Sequence, residues 1–372
     1  MNKQQFNAGL KRAVSGEGRL AIHEAYAKEL FDKRNYTEAL NIYKQALELT
    51  KQQNVKAYLF GKIGICHFNN NDDKKALQRL EKSVQLFKPD QPEFMRDMYG
   101  FVLFHLGSLY EYHGKITQSL EARKSCEKYL DSQEKDTQWM LYSGICRNYE
   151  ALGQHSEAIS YSQKAIQVLS DNDPGLSYLY ESMANNYMEM QRYQDAIQHF
   201  SRVLELDPDF ERNDEIHIKL ANCYRRISNY AMELETYEKI LRLKQITAKS
   251  KDLVWIFLKL AECHFRMASY EKSLLAAFEA LNQRSRNPHE KAEALSFKAN
   301  SYYELGRYRD AVRDGEKALM LSQRFPNDDL FYVRMALAYH ELGDHKLFVK
   351  YRALVRKLFE DDIWNKHLEK LN

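Results

Sequence analysis

The chain has 372 residues, of which 44% are hydrophobic, enough apolar material for an extended core. Its 14 glycines and 6 prolines are too few for the turns of an all-β fold, so the composition favours an all-α protein. A formal charge of +3 excludes a strongly basic nucleic-acid binder, and no apolar run is long enough for a secretory signal or a membrane span, which predicts a cytoplasmic protein.

The chain begins with a segment that we expect to be a partial cap or disordered, residues 1–19, broken by Gly16 and Gly18. Self-similarity follows from about residue 20 to residue 359. The stretch from Ala184 to Ile197, for example, shares eight of fourteen positions with the stretch from Ala299 to Val312. One position, which we call the anchor, is usually small and recurs 37 to 43 residues apart. The nine anchors are Ala39, Ala76, Ser119, Ala158, Ala196, Glu233, Ser273, Ala311 and Phe348.

Each of the nine repeats has the same internal order. A first segment carries a small residue three positions before an aromatic residue or a histidine, as at Ala184 and Tyr187, and this spacing places both side chains on one helix face. Glycine ends the first segment in four repeats, because it accepts the positive φ of a helix terminus. These glycines are Gly114, Gly153, Gly306 and Gly343. A second amphipathic segment completes a predicted pair of antiparallel helices.

The repeats resemble tetratricopeptide repeats. In the stretch FKANSYYELGRYRDAVRDGEKALML the small and aromatic positions of that family are matched by Ala299, Tyr302, Gly306, Tyr308, Ala311 and Ala318. The resemblance implies a right-handed α-solenoid superhelix of antiparallel helix pairs, with one domain at 20–359 and a capping helix at 360–372. Glu233 and Phe348 replace the small anchor, so the register is least secure in the sixth and ninth repeats.

Candidate catalytic and metal-binding groups are few. The five cysteines are widely spaced and form no CxxC motif, which indicates reduced thiols. Cys66-His67 and Cys263-His264 occupy equivalent places in two distant repeats, and we expect them to pack in the core rather than to bind a metal. Phosphate-binding, zinc-protease and nucleophile-elbow motifs are absent from the sequence. We therefore predict a protein that is not an enzyme and needs no cofactor.

The resemblance places the first helix of each repeat on the concave side of the array. Asparagine occupies one concave position in three of five consecutive repeats, at Asn185, Asn222 and Asn300. A carboxamide both donates and accepts, so a row of them can hold the backbone of an extended peptide. The alternative is that these asparagines bond neighbouring helices. Nearby cations that suit partner carboxylates are Arg147, Lys219, Arg225, Arg226, Lys259, Arg266 and Arg334. They could instead pair with glutamates such as Glu262 and Glu304 on the same face.

The N-terminal half carries a different lining on its first helices, one rich in aromatic residues. Some of these must belong to the core, and several exposed together would form an apolar cradle for a partner helix. They are Phe31, Tyr58, Phe68, Phe101, Phe104 and Tyr112.

The function predicted from these features is a non-enzymatic adaptor that binds a peptide segment or a partner protein in its concave channel. One alternative is a regulatory receptor of the peptide-pheromone type, which would need an effector domain where only about 19 residues precede the repeats. Another is a self-associating assembly scaffold. The oligomeric state distinguishes the adaptor from the scaffold, and the sequence leaves monomer and homodimer open. We expect no nucleic-acid partner.

Overall fold

The computed structural model describes residues 1–88, 93–129, 135–207, 213–246, 253–283, 287–322, 330–358, 367–368 and 370–371. Within these ranges the chain forms 19 α-helices and no strand, which confirms the predicted all-α fold. The chain divides into two compact units, residues Met1–Arg192 and Tyr193–Asn372, and each unit is a series of helices packed in chain order.

The first unit contains ten helices. They are α1 (Lys3–Arg12), α2 (Gly16–Asp32), α3 (Tyr36–Glu48), α4 (Gln53–Asn69), α5 (Asp73–Leu86), α6 (Glu93–Tyr112), α7 (Ile116–Cys126), α8 (Lys135–Ala151), α9 (His155–Val168) and α10 (Gly175–Glu189). The second unit contains the other nine. They are α11 (Tyr193–Leu206), α12 (Asn213–Arg226), α13 (Tyr230–Ile246), α14 (Leu253–Arg266), α15 (Tyr270–Asn282), α16 (Pro288–Glu304), α17 (Tyr308–Leu321), α18 (Phe331–Glu341) and α19 (His345–Leu358).

The anchors lie on the second helix of each repeat, and all nine are at most 1% exposed. Serine anchors also donate across the pair: Ser119 Oγ donates to the carbonyl of Gly107 at 2.7 Å, and Ser273 Oγ donates to that of Ala261 at 2.8 Å. The two helices of a repeat approach each other closely around the anchor, so little unfilled space remains between them there. Glu233 and Phe348 are buried there too, which places the two least secure repeats in the same register as the rest.

The turn between first and second helix has the same backbone in every repeat. Its left-handed residue is glycine at the four predicted positions, with φ between 68° and 73°. The other five repeats use Arg34, Asn71, Gln191, Ser228 and Ala268, with φ between 53° and 60°. The next N–H then donates to a carbonyl five residues earlier, as from Arg307 to Tyr302 at 2.8 Å. This bond satisfies one of the carbonyls left unpaired at a helix end.

The chain termini contribute to the cores of their units. In α1, Phe6 is buried and stacks on Tyr26 of α2 with ring centroids 4.5 Å apart. At the other end Leu368 is buried in a cluster with Tyr351, and Leu371 packs against that cluster. Most of the capping helix predicted at 360–372, including residues 360–366, lies outside the described residues. The domain boundaries at residues 19 and 359 stay predictions.

The two Cys-His pairs lie in or near the core. Cys66, Cys263 and His67 are buried, and His264 is half-buried. Burial raises the pKa of the Cys66 thiol to about 12, so the thiol stays protonated and unreactive. Among the described residues no three His, Cys, Asp or Glu side chains are grouped to hold a metal ion. The described helices also include none with the length and apolarity needed to cross a membrane.

Candidate functional site

The first helices of the repeats form a common face in each unit, here called the first-helix face. In the first unit α4 contacts α6 and α6 contacts α8; in the second unit α14 contacts α16 and α16 contacts α18. Side chains at one repeat position are therefore neighbours on successive helices. The predicted site residues all lie on first helices, namely α8, α10, α12, α14, α16 and α18.

The first-helix face of the first unit is apolar at one repeat position. Four consecutive repeats place Tyr58, Phe101, Met140 and Tyr178 there, 38 to 43 residues apart, and we call these four residues the apolar row. Phe101, Met140 and Tyr178 are 40%, 43% and 59% exposed, whereas Tyr58 is half-buried. Large apolar side chains repeated in register on a surface are typical of a binding face.

The remaining aromatic residues predicted for this face divide into two groups. Phe31, Phe68 and Phe104 are half-buried against the core, whereas Tyr112 is exposed. His105 lies against Phe68 and Phe104, with ring centroids 4.8 and 5.6 Å away. Burial lowers the pKa of His105 to about 4, so this histidine is neutral at physiological pH and extends the apolar surface.

Two predicted ligand-binding residues lie in the first unit. Arg147 is exposed, and its Nε donates to Glu111 Oε1 at 3.0 Å, so its guanidinium joins α8 to α6. Asn185 on α10 is half-buried. Arg147 would have to leave a carboxylate of its own chain to bind one from a partner.

The first-helix face of the second unit is charged and centres on Glu262 of α14. The Glu262 carboxylate contacts Lys259 Nζ at 3.0 Å, Arg266 Nη2 at 3.1 Å and Arg225 Nη2 of α12 at 3.3 Å. Burial alone would raise the pKa of Glu262, but the three cations outweigh burial and hold it below its usual value. The predicted cation Lys259 is thus part of an internal ion-pair cluster.

The other predicted residues of α12 differ in accessibility. Lys219 pairs with Glu215 on the same helix, Nζ to Oε1 at 2.9 Å. Asn222 is exposed, as the peptide hypothesis requires. Arg226 is also exposed, and its guanidinium lies over the ring of Tyr193 at 5.9 Å.

Asn300 and Arg334, the two remaining predicted residues, are largely withdrawn from solvent. Asn300 on α16 is 2% exposed, so its carboxamide is not presented to a ligand on this face. The Nε of Arg334 donates to Glu304 Oε1 at 2.9 Å, and its guanidinium lies 4.9 Å from the ring of Phe265. Lys259 and Arg334 therefore fit the alternative interpretation, in which the cations of this face pair with glutamates of the same chain.

Two arginines organise these faces: Arg123, which is buried and which sequence reasoning missed, and Arg225, which is half-buried and was among the predicted cations. Arg123 of α7 donates to Asn148 Oδ1 at 2.9 Å and to the carbonyl of Gly144 at 3.0 Å, and it pairs with Glu111. Arg225 of α12 pairs with the buried anchor Glu233. A usable sequence signal for Arg123 was its position one helical turn after the anchor Ser119.

Comparison with known proteins agrees with this repeat geometry. Three family models, each described as tetratricopeptide repeat, match residues 136–209, 182–245 and 25–53. The chain is a tetratricopeptide repeat protein. Repeats of this family are protein-interaction modules rather than catalysts, so the family supports a role in protein binding.

Relatives of this tetratricopeptide repeat protein match over part of its length. The photosystem I assembly protein Ycf3 of Rippkaea orientalis is 31% identical over 96 residues, which are 26% of this chain and 50% of that protein. Ycf3 of Prochlorococcus marinus is 26% identical over 97 residues, 26% of this chain and 51% of its own. The chain spans about half the length of the curated relatives it matches.

A solved structure shares the fold. It is the C-terminal part of a repeat-containing protein from Cytophaga hutchinsonii, with a TM-score of 0.51 and 17% identity, and the match covers 72% of this chain and 98% of that one. At this identity the likeness concerns the fold alone.

Proposed function

We propose that the protein is a non-enzymatic adaptor that binds a peptide segment of a partner protein on its first-helix faces. The apolar row carries this proposal. Phe101, Met140 and Tyr178 of this row are 40%, 43% and 59% exposed, and covering apolar surface of this kind with a partner lowers the free energy. The match to photosystem I assembly proteins supports partner binding in general and no particular partner, because it covers a quarter of the chain.

Polar side chains on the first-helix face of each unit would fix a peptide bound to that unit, Asn185 in the first unit and Asn222 in the second. Asn185 and Asn222 have carboxamides that can donate to a peptide carbonyl and accept from a peptide N–H. The exposed guanidinium of Arg226 adds a site for a partner carboxylate. Asn300 does not belong to this set, since its side chain is buried.

The test is a selection of random peptides, displayed on phage, against the full-length chain. Peptides enriched on the wild type should lose most of their binding when Phe101, Met140 and Tyr178 are changed to Ala. The control changes Leu275 and Phe278 to Ala; these side chains are as exposed but lie on α15, a second helix. Equal loss in both variants, or no enrichment on the wild type, would refute the adaptor proposal.

Self-association is a second candidate because the second unit exposes apolar side chains on second helices. Leu275 and Phe278 of α15 and Met320 of α17 are the largest of these exposures. A scaffold would bury this surface between copies. Sedimentation equilibrium distinguishes the candidates: the adaptor is monomeric at micromolar concentration, whereas the scaffold is a dimer that Leu275→Lys dissociates.

A further inference from the structure

Lys62 of α4 holds its ammonium group between aromatic rings on the first-helix face of the first unit. The Nζ atom is 4.9 Å from the ring centre of Phe31 and 5.7 Å from that of Tyr58. Tyr58 in turn meets the exposed ring of Phe94 edge to face, with centroids 6.1 Å apart. Aromatic rings from α2 and α4 therefore flank the cation, and a third ring, from α6, contacts the second of them. Tyr58 also belongs to the apolar row.

Among the described residues no carboxylate lies within 4 Å of Lys62 Nζ, in contrast with Lys259 and Arg334 of the second unit. Burial lowers the pKa of Lys62, and the more distant Asp32 only partly opposes this effect. A half-buried ammonium without a counter-ion is costly, and a ligand carboxylate would offset that cost.

The surroundings limit what the ligand is. A nucleic acid or an anionic membrane needs several cations in register, and this pocket offers one, with exposed Lys28 and Asp32 nearby. The exposed Phe94, which contacts Tyr58, offers apolar surface at this pocket. Charge complementarity therefore favours a single carboxylate flanked by apolar groups, and an acidic residue within an apolar peptide provides both.

We propose that Phe31, Tyr58, Lys62 and Phe94 form a pocket for an acidic side chain of the partner peptide, with large apolar residues beside it. The inference rests on the proposed function, since it assigns partner chemistry to one part of the same face. The cation–π contacts hold the ammonium in place before binding, which reduces the side-chain entropy lost on association.

The experiment repeats the phage selection on three forms of the full-length chain: wild type, Lys62→Met and Lys28→Met. Methionine keeps the length and apolar stem of lysine, and Lys28 is an exposed lysine on the same face. Wild type and Lys28→Met should enrich peptides with Asp or Glu between large apolar residues. Lys62→Met should keep the apolar preference and lose the acidic one. Enrichment without an acidic preference, or with one that Lys62→Met retains, overturns the pocket and leaves the adaptor function standing; no enrichment overturns both.

Fluorescence anisotropy with one enriched peptide and its Glu→Gln version then measures the pairing. Lys62→Met should weaken the Glu peptide about tenfold and leave the Gln peptide unchanged. The free Lys62→Met variant should also melt at a higher temperature, because an unpaired charge has been removed from a half-buried site. A lower melting temperature would make Lys62 a structural residue and would refute the pocket.

Discussion

The α6–α7 pair and the α12–α13 pair each join an arginine to a glutamate across the two helices, but in opposite directions. In α6–α7 the anchor is Ser119, and Arg123 on the second helix reaches across to Glu111 on the first. In α12–α13 the anchor is Glu233 on the second helix, and Arg225 on the first reaches back to it. The arginine therefore lies on the second helix in one pair and on the first helix in the other, and the glutamate on the opposite helix each time. At the anchor position the space between the two helices must be filled, and any buried charge must be paired. A small side chain is only one way to meet these requirements.

The neighbouring residues show why the two arrangements need different surroundings. A Cβ atom on Gly107 would lie 2.7 Å from Arg123 Cγ, and one on Gly144 would lie 2.8 Å from Arg123 Cζ. Arg123 therefore occupies space that two glycines leave open. In α12–α13 the corresponding small residue of the first helix is Ala221, because Arg225 lies on the same helix and does not cross above it.

Removing the arginine from α6–α7 should give the largest effect. We expect Arg123→Ala to lower the free energy of unfolding by about 3 kcal/mol, because it empties the space beside Gly107 and Gly144 and leaves buried acceptors such as Asn148 unpaired. The control is Arg147→Ala, which removes an exposed partner of the same Glu111 and should cost less than about 0.5 kcal/mol. Urea unfolding followed by circular dichroism measures both. Similar losses in the two variants would contradict the buried role of Arg123.

Removing the acid from α12–α13 should cost less, since the arginine keeps a second partner. Arg225 Nη2 lies 3.3 Å from Glu262 as well as 2.6 Å from Glu233. We expect Glu233→Ala to destabilise by about 2 kcal/mol. Glu233→Gln keeps the volume and an acceptor, so its loss should be smaller. If Ala at this position stabilised the protein, as the small-anchor rule alone would suggest, the ion-pair explanation would be wrong.

The sequence predicted the helix pairs well, because their determinants are local and periodic. The anchors and the four turn glycines follow from spacing alone, and the register held even at Glu233 and Phe348. The candidate site was harder to predict. Asn300 and the exposed Asn222 share one repeat position, and only the packing of neighbouring helices decides which of them is buried. No sequence motif marked Lys62, because the aromatic residues near it come from three separate helices, α2, α4 and α6.

The turns allow a comparison in which packing is held constant. Ala268 and Gly306 both take positive φ in exposed turns of the second unit, and a Cβ on Gly306 would meet no atom within 4 Å. Left-handed backbone strains alanine but not glycine, so Ala268→Gly should stabilise by about 0.5–1 kcal/mol and Gly306→Ala should destabilise by about 1 kcal/mol. Urea midpoints of the two variants check the signs. Two changes of the same sign would show that contacts rather than strain decide the turn.

The smallest predicted effect concerns Glu293, whose carboxylate lies near the ion pairs of Glu262 but is stabilised little by their cations. Burial, together with Glu262 and Glu290, raises the pKa of Glu293 despite the opposing charge of Lys259. A carboxyl group whose pKa is higher in the folded state destabilises the fold at neutral pH, and that penalty disappears below its ordinary value near 4.5. Glu293→Gln should therefore raise the melting temperature at pH 7 and leave it unchanged at pH 4. Glu290→Gln, on the same helix, removes only one of the charges that raise the pKa of Glu293 and should give a smaller gain at pH 7. A gain from Glu293→Gln that persisted at pH 4 would have to come from packing, and the charge of Glu293 would then play no part in it.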